Sequence, residues 1–267
     1  MDDAIRSLAI FPNYHRGFTF RWTLAPTLDV APPWIFTVQE SPTGRDSWMD
    51  ISPPLTDKLA YVEEERRKFN KDRRPYFRIC GVIGGETVYS AVRDALGDLN
   101  RKEWLIAREI MADELKTMRG MSGVPVTLWM KLRTGVKCPR CLDVVTKEVL
   151  DSNCPVCLGT RYVTGFHGPY SSWGTVTQAV SRKRHDERGG GVTDVQLHQI
   201  RLLGSFSMSR DDLIIATPSQ RVYIIDQISN VAELRGVPLM LQCVTHEGSF
   251  ADIAQSLSDQ LLPAETA

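Results

Sequence analysis

The sequence predicts a mainly β, multi-domain protein, and three observations support that prediction. Short alternating runs such as GFTFRWTL (17–24) and PYFRICGVI (75–83) recur between Pro, Gly and Asp turns, as antiparallel strands do. One amphipathic helical pattern lies between two β-rich stretches, and a motif of four cysteines follows it. At 267 residues the chain is long enough for two or three domains.

Residues 1–93 predict a β-sandwich. IFTVQE (35–40) continues the alternation of apolar and polar residues, and PYFRICGVI is expected to pair with ETVYSAV (86–92) across the Gly84-Gly85 turn. Large aromatic side chains on such strands usually anchor the core. We therefore expect Trp22 and Tyr76 to be buried anchors of this domain.

The aromatic pattern of this region resembles a fibronectin type III domain. Trp22 in RWTLAP matches the Trp that this family carries in its B strand, and Tyr76-Phe77-Arg78-Ile79 is similar to its Tyr-x-Arg-Val-like motif in strand F. The resemblance implies a fibronectin III-like sandwich that serves as a binding or spacing module, with Tyr76 at the tyrosine-corner position. Another aromatic-rich antiparallel sandwich is the alternative.

Residues 94–133 predict a connector made of one long helix and one strand. The helix is expected over 98–119 with Asp98 as its N-cap, and the strand over 124–133. Four apolar residues at helical spacing are expected to form the buried face, namely Leu99, Ile106, Ile110 and Met118. The interleaved charges are expected to be solvated, and the methionines to pack in the core.

Residues 134–168 predict a zinc ribbon with four cysteine ligands. Two CPxC turns supply these ligands, which are Cys138, Cys141, Cys154 and Cys157. Four cysteine ligands leave no vacant position for water or substrate, so the zinc should be structural rather than catalytic. An iron–sulfur centre and a metal-free cluster are the alternatives. The segment 159–170 is expected to complete the ribbon as a strand, with His167 as a partly exposed loop residue.

The metal interpretation depends on the compartment in which the chain is made. MDDAIRSLAIF at the start lacks the features of a signal peptide, and no apolar run approaches the roughly 18 residues of a membrane span. We therefore expect a soluble protein made in a reducing compartment, where paired CxxC motifs bind metal rather than form disulfides. Cys80 and Cys243 stand alone in apolar stretches and are expected to be buried small hydrophobes.

Residues 169–255 predict a small antiparallel β domain, either a barrel or a sandwich. Five strands are expected, over 175–180, 195–204, 211–218, 220–228 and 237–247. A charged, Gly-rich loop is expected at 181–191, and residues 256–267 are expected to be a frayed tail.

Charge and motif content argue against two function classes. Lys plus Arg equals Asp plus Glu at 32 each, whereas phosphate-binding proteins usually carry a basic excess. Nearby acids offset the basic runs 66–74 and 181–188, which weakens the evidence for phosphate binding. A zinc-ribbon nucleic-acid-binding protein is therefore an alternative rather than the main prediction. Two groups of residues could suggest acid–base or metal chemistry, namely His246-Glu247 with Asp252 and His185-Asp186. Neither group has a nucleophile or a Gly-rich phosphate loop at useful spacing. No catalytic residue is therefore assigned, and the chain is not expected to be an enzyme.

The order of parts resembles structural proteins of tailed bacteriophages. LRTGVKCPRCLDVV…DSNCPVCLGTRYVTGFHGPY is similar to a zinc-ribbon element of those proteins, although Arg161 and Phe166 replace two of its glycines. AREIMADEL (107–115), RDDLIIATPSQRVYII (210–225) and RGVPLMLQ (235–242) match the helix and β segments around that element.

This resemblance implies a non-enzymatic, ring-forming subunit of the neck, collar or head–tail connector. Its partners would be other virion proteins, namely a portal or adaptor, a tail terminator or neighbouring ring subunits, with DNA contact in the channel and no membrane. It would be located in the virion after assembly in the host cytoplasm. A baseplate or tail structural protein is the alternative.

Overall fold

The computed structural model describes residues 4–64, 75–96, 99–143, 146, 149–151, 154–178, 182–185, 192–195, 197–204, 206, 208–217 and 219–248. Over these residues the protein is mainly β with one α-helix and a four-cysteine cluster, as the sequence predicts. It also contains a six-stranded barrel, where five strands in a barrel or a sandwich were expected. The chain divides into two compact units, residues 1–112 with 131–168 and residues 113–130 with 169–267. The domain boundaries expected from the sequence stay a prediction, and residues 66–74 and 256–267 lie outside the described residues.

The first unit contains two antiparallel sheets. Its strands are β1 (Ile5–Pro12), β2 (Phe18–Leu24), β3 (Ile35–Ser41), β4 (Met49–Asp50), β5 (Leu55–Thr56), β6 (Ala60–Val62), β7 (Tyr76–Ile83), β8 (Glu86–Tyr89) and β9 (Arg93–Asp94). One sheet has the order β1-β2-β6 and the other β4-β3-β7-β8, with β5 on β3 and β9 on β7. The predicted pairing of β7 with β8 across Gly84-Gly85 is confirmed.

Aromatic side chains from the two sheets contact one another, which makes this region a sandwich. The ring centroids of Phe18 and Phe20 lie 5.2 and 4.9 Å from that of Phe77, and Trp22 lies 5.4 Å from Phe36. Trp22 is 1% exposed, so the prediction that it anchors the core is confirmed.

The prediction that Tyr76 anchors the core is wrong. Tyr76 is only half-buried, whereas Phe77 beside it is 0% exposed. Successive side chains of a strand point to opposite faces, so a strand that directs Phe77 and Ile79 inward directs Tyr76 outward. The Tyr76 ring lies against Gly44, where an added Cβ would come within 2.9 Å of it. The same alternation leaves Cys80 half-exposed, which contradicts its expected burial.

The helix α1 (Arg101–Thr117) begins later than predicted and is capped by a different residue. Asn100 Oδ1 accepts the Glu103 N–H at 2.9 Å, and Glu103 Oε2 accepts the Asn100 N–H at 2.9 Å. This reciprocal pair is a capping box, so Asn100 takes the N-cap role expected of Asp98, which lies outside the described residues. A π-helical turn over Met118–Ser122 follows the helix and closes with Gly123 N–H donating to Met118 O at 2.7 Å.

The buried face of α1 also differs from the prediction. Leu99 and Met118 are buried, but Ile106 and Ile110 are 45% and 39% exposed. The buried face instead consists of residues three or four positions apart that begin at a tryptophan, namely Trp104, Ala107, Arg108, Met111, Leu115 and Met118. The expected burial of the helix methionines is confirmed, while Arg108 is an exception to the solvated charges.

The second unit contains a closed six-stranded barrel. The remaining strands are β10 (Val124–Lys131), β11 (Phe166–Gln178), β12 (Arg182–His185), β13 (Val192–Val195), β14 (Leu197–Leu203), β15 (Leu213–Ala216), β16 (Arg221–Leu234) and β17 (Val237–Glu247). The barrel order is β10-β11-β14-β17-β16-β15, so β10, which the sequence analysis places in the connector, is its sixth strand. Cys243 is buried in the barrel, as predicted. β12 and β13 form a separate hairpin where a loop was expected.

Candidate metal centre

The cysteine module, residues 132–165, is the segment between β10 and β11. Its ends meet where the Leu132 N–H donates to Gly165 O at 2.9 Å. An isolated bridge pairs Lys137 with Tyr162, and Cys138 N–H donates to Arg161 O at 2.7 Å. The chain therefore runs out and back beside the first CPxC turn, as a short hairpin would.

The four cysteines predicted from spacing are the four that the fold brings together. Their Sγ atoms all lie within 4.8 Å of one another, and each residue is buried. Cys138 Sγ is 3.8 Å from Cys154 Sγ, and Cys141 Sγ is 3.1 Å from Cys157 Sγ. Among the described residues this is the group of His, Cys, Asp or Glu side chains placed to hold a metal ion.

Left-handed backbone conformations shape the second CPxC turn. Leu158, Gly159 and Arg161 have φ values of 49°, 73° and 81°. At Gly165, with φ 73°, an added Cβ would come within 2.6 Å of Cys157 O. Glycine adopts such conformations without strain, so Gly159 and Gly165 fit their positions, while Arg161 takes a conformation that glycine adopts more readily.

Besides the cysteine cluster, the described residues of the module bury two large apolar side chains, Leu132 and Leu158. The packed set around the cluster consists of the four cysteines with two partly buried valines, Val149 and Val156. A segment with so small an apolar core needs another source of stability, and a metal ion bound by four sulfurs supplies it in small domains.

The thiol groups have unequal proton affinities. Burial and the neighbouring Cys157 sulfur raise the pKa of Cys141 above its usual range. Burial also opposes ionisation of Cys154, but backbone N–H groups of Val156 and Cys157 donate to its sulfur and lower its pKa to about 7. Metal binding requires all four sulfurs as thiolates, so an ion would displace the protons that Cys141 and its neighbours otherwise hold.

The donor set fits a tetrahedral, thiophilic ion. Zn–S bonds of about 2.3 Å imply sulfur–sulfur separations of about 3.8 Å in a tetrahedron. The Cys138–Cys154 separation of 3.8 Å has this value, and that of Cys141 and Cys157 is shorter. With four sulfurs the coordination sphere of such an ion is complete, so the arrangement can hold a metal but offers no open position for substrate.

His167 lies outside this cluster, and its expected environment is wrong. It is 9% exposed and is the second residue of β11, rather than a partly exposed loop residue. Burial lowers the pKa of its imidazole to about 3, so the ring is neutral at physiological pH. The expectation for 159–170 holds only in part, because from Phe166 onward the chain belongs to the barrel strand.

A second group of polar side chains lies on the barrel, and no motif in the sequence identifies it. His246 Nδ1 is 2.7 Å from Asp226 Oδ2, while Glu247 lies 3.9 Å from His198 Nε2 and 3.7 Å from Arg221 Nε. His246 and Glu247, which lack a nucleophile in the sequence, also contact different partners here, because adjacent strand residues point to opposite faces. Only the β16–β17 register, in which Ile224 pairs with His246, could have identified Asp226.

The other residues weighed for catalysis are outside this group. Asp252 and Asp186 lie beyond the described residues, and His185 ends β12. We therefore assign no catalytic constellation from them.

Comparison with known proteins adds no assignment. No protein-family model matches the chain, and no curated protein matches it. No helix in the described part of the chain is long and apolar enough to cross a membrane. The function must therefore be argued from the chain's own residues.

Proposed function

We propose that the cysteine cluster is a structural zinc site and that the protein is a non-enzymatic assembly subunit. The observation that carries this proposal is the set of four buried sulfurs within 4.8 Å of one another. Such a set completes the coordination of zinc, which lacks redox chemistry and accepts tetrahedral sulfur. The ion then stabilises the module and takes no part in a reaction.

We further propose that this subunit belongs to the neck, collar or head–tail connector of a tailed bacteriophage. Support comes from the order of motifs, in which AREIMADEL, the paired CPxC turns and RDDLIIATPSQRVYII follow one another. The backbone at Arg161 adds to it, since a residue that replaces a glycine of the phage element has a φ of 81°. A baseplate or tail location in the virion is the alternative.

The fibronectin III-like character of the sandwich is part of the same proposal. Trp22 is buried in the second strand of the chain, where the family carries its Trp, and Arg78 of the Tyr-x-Arg motif lies in β7. The Arg78 guanidinium lies 4.2 Å from the ring centroids of both Trp48 and Tyr89 on the outer face of the sheet. The sandwich would act as a spacing or binding module among virion proteins.

Elemental analysis of the purified full chain, combined with multi-angle light scattering, tests the proposal. One zinc per chain and a concentration-dependent shift to a ring-sized oligomer are expected. A chain without bound metal would contradict the zinc site, and visible absorption from bound iron would replace it with an iron–sulfur centre. One zinc in a chain that stays monomeric at all concentrations would contradict self-assembly into a ring.

A further inference from the structure

The surface of the cysteine module carries basic side chains that the function proposed above does not explain. Lys137, Arg140 and Arg161 are all exposed. None of the three forms an ion pair with any residue that the structure describes. The basic runs that the sequence analysis considered for DNA contact, 66–74 and 181–188, are elsewhere in the chain.

The fold brings these cations to one small element. Lys137 is bridged to Tyr162, the neighbour of Arg161, and Cys138 next to Lys137 bonds to the Arg161 carbonyl at 2.7 Å. Arg140 lies in the same CPxC turn, between Cys138 and Cys141. Tyr162, a half-exposed aromatic residue, pairs with Lys137 and follows Arg161, so it belongs to the same short hairpin as these basic residues.

A metal centre in the module would also change the charge at this surface. The module contains five basic and three acidic residues, and four thiolates with one divalent ion would add a charge of about −2. The sulfurs are buried while the three cations are exposed. A polyanion at this surface can therefore contact the exposed cations, whereas the thiolate charge is buried.

We infer that the basic face of the cysteine module, formed by Lys137, Arg140 and Arg161, binds the phosphate backbone of nucleic acid. The inference rests on the proposed metal site only in that the metal keeps this surface folded. Exposed, unpaired Lys and Arg side chains bind phosphate with little sequence preference, and each contact releases a counterion. The whole chain and the metal-loaded module are both close to neutral, so the attraction comes from the exposed positions of these three cations rather than from net charge.

Fluorescence anisotropy with a labelled 20-base-pair DNA duplex and the zinc-loaded full chain tests this inference. Three phosphate contacts predict that binding weakens about 40-fold between 50 and 200 mM salt. The triple variant Lys137→Glu, Arg140→Glu, Arg161→Glu should lose this binding. A matched control changes three exposed cations outside the module by the same total charge, Arg6→Glu, Arg45→Glu and Lys102→Glu, and should retain it.

The outcomes separate this inference from its competitors. No binding by the wild-type chain at 50 mM salt, or equal loss in both triple variants, would overturn it. Zinc content is measured on each sample, so a chain that lacks metal counts against the zinc site and not against the basic face. If charge reversal releases the metal, the neutral triple variant Lys137→Gln, Arg140→Gln, Arg161→Gln is used to test the inference instead. Retained zinc with lost DNA binding supports the inference, whereas retained zinc with wild-type DNA binding contradicts it.

Discussion

The sandwich and the cysteine module of the first unit are held together in different ways. The sandwich and its helix bury a set of large aromatic side chains at 1% exposure or less, namely Phe18, Phe20, Trp22, Trp34, Phe36, Phe77 and Trp104. The described residues of the module bury two leucines, and its cluster packs four cysteines with two partly buried valines. One region is stabilised by carbon burial distributed over many residues, and the other, as proposed above, depends on a metal ion bound by four sulfurs.

The difference determines how each region responds to damage. Each buried aromatic side chain removes about 150–250 Å² of its surface from water. Losing one of the seven therefore removes only a fraction of the stability of the sandwich. Structural zinc contributes about 10–16 kcal/mol of apparent binding energy in small zinc peptides, and losing one ligand of four disrupts the whole site. We therefore expect graded losses in the sandwich and an all-or-none loss in the module.

The largest effect is expected for Cys154→Ser. The variant should lose its bound zinc, and residues 132–165 should become sensitive to protease while the sandwich stays resistant. Elemental analysis and limited proteolysis with mass spectrometry measure both results. Cys80→Ser, at a half-exposed cysteine of β7, is the control and should keep wild-type zinc. Stoichiometric zinc in Cys154→Ser would exclude Cys154 as a ligand.

The next effect is expected for Phe77→Ala, which removes a ring that contacts Phe18 and Phe20. Loss of such a core side chain should lower the free energy of unfolding by about 3–5 kcal/mol. Tyr76→Ala, at the half-buried neighbouring position, should cost about 1 kcal/mol. Urea unfolding followed by tryptophan fluorescence compares the two, and equal losses would contradict the inward orientation of Phe77.

A smaller, pH-dependent effect is expected at His167. Burial lowers its folded-state pKa to about 3 from 6.5, so between these values the unfolded chain binds a proton that the folded chain does not. Stability should therefore be full above pH 7 and fall as the pH drops, by about 2 kcal/mol at pH 5.

The His167→Gln variant isolates this effect from acid release of the metal. Urea unfolding of both proteins across pH 5–8 should give a steeper loss of stability in the wild-type chain. Acid release of metal acts on both proteins equally and cancels in the comparison. Parallel pH profiles would show that the neutral imidazole does not control the acid response.

The smallest effect is expected for Asn100→Ala. It removes the side-chain oxygen that accepts the Glu103 N–H, which should cost about 1 kcal/mol of the free energy of unfolding. Asp98→Ala is the paired variant, because the sequence places the N-cap at Asp98. Thermal unfolding should show a loss only at Asn100, and the reverse result would restore the predicted helix start.

The parts of the fold that depend on local pattern were predictable from the sequence. Strand alternation located β2, β3, β7 and β17 closely, and the CPxC spacing located all four clustered cysteines. Two turns of fixed spacing bring sulfurs to one point whatever surrounds them. The clustering of the four cysteines was therefore predictable without knowledge of the tertiary structure.

The parts that depend on tertiary partners were not predictable in the same way. Ile106 and Ile110 have helical spacing, but their burial depends on which face of α1 packs against the sandwich. Trp104 lies on the packed face, and the two isoleucines are exposed. β10 joins the barrel because it pairs with β15, from Val126 with Ala216 to Trp129 with Leu213. The sequence between those strands contains the whole cysteine module and gives no indication of that register.

The position of the cysteine module before most of the barrel sets an order of events during synthesis. All four cysteines lie between residues 138 and 157, whereas the last barrel strand ends at Glu247. Ribosomes add about 5–20 residues per second, so all four cysteines are made about 5–18 seconds before the last barrel strand. If the cluster binds zinc as proposed, a nascent chain that meets zinc in this interval can fold the module while its barrel strands are still being made. Metal supply would then act on the growing chain rather than on the finished chain.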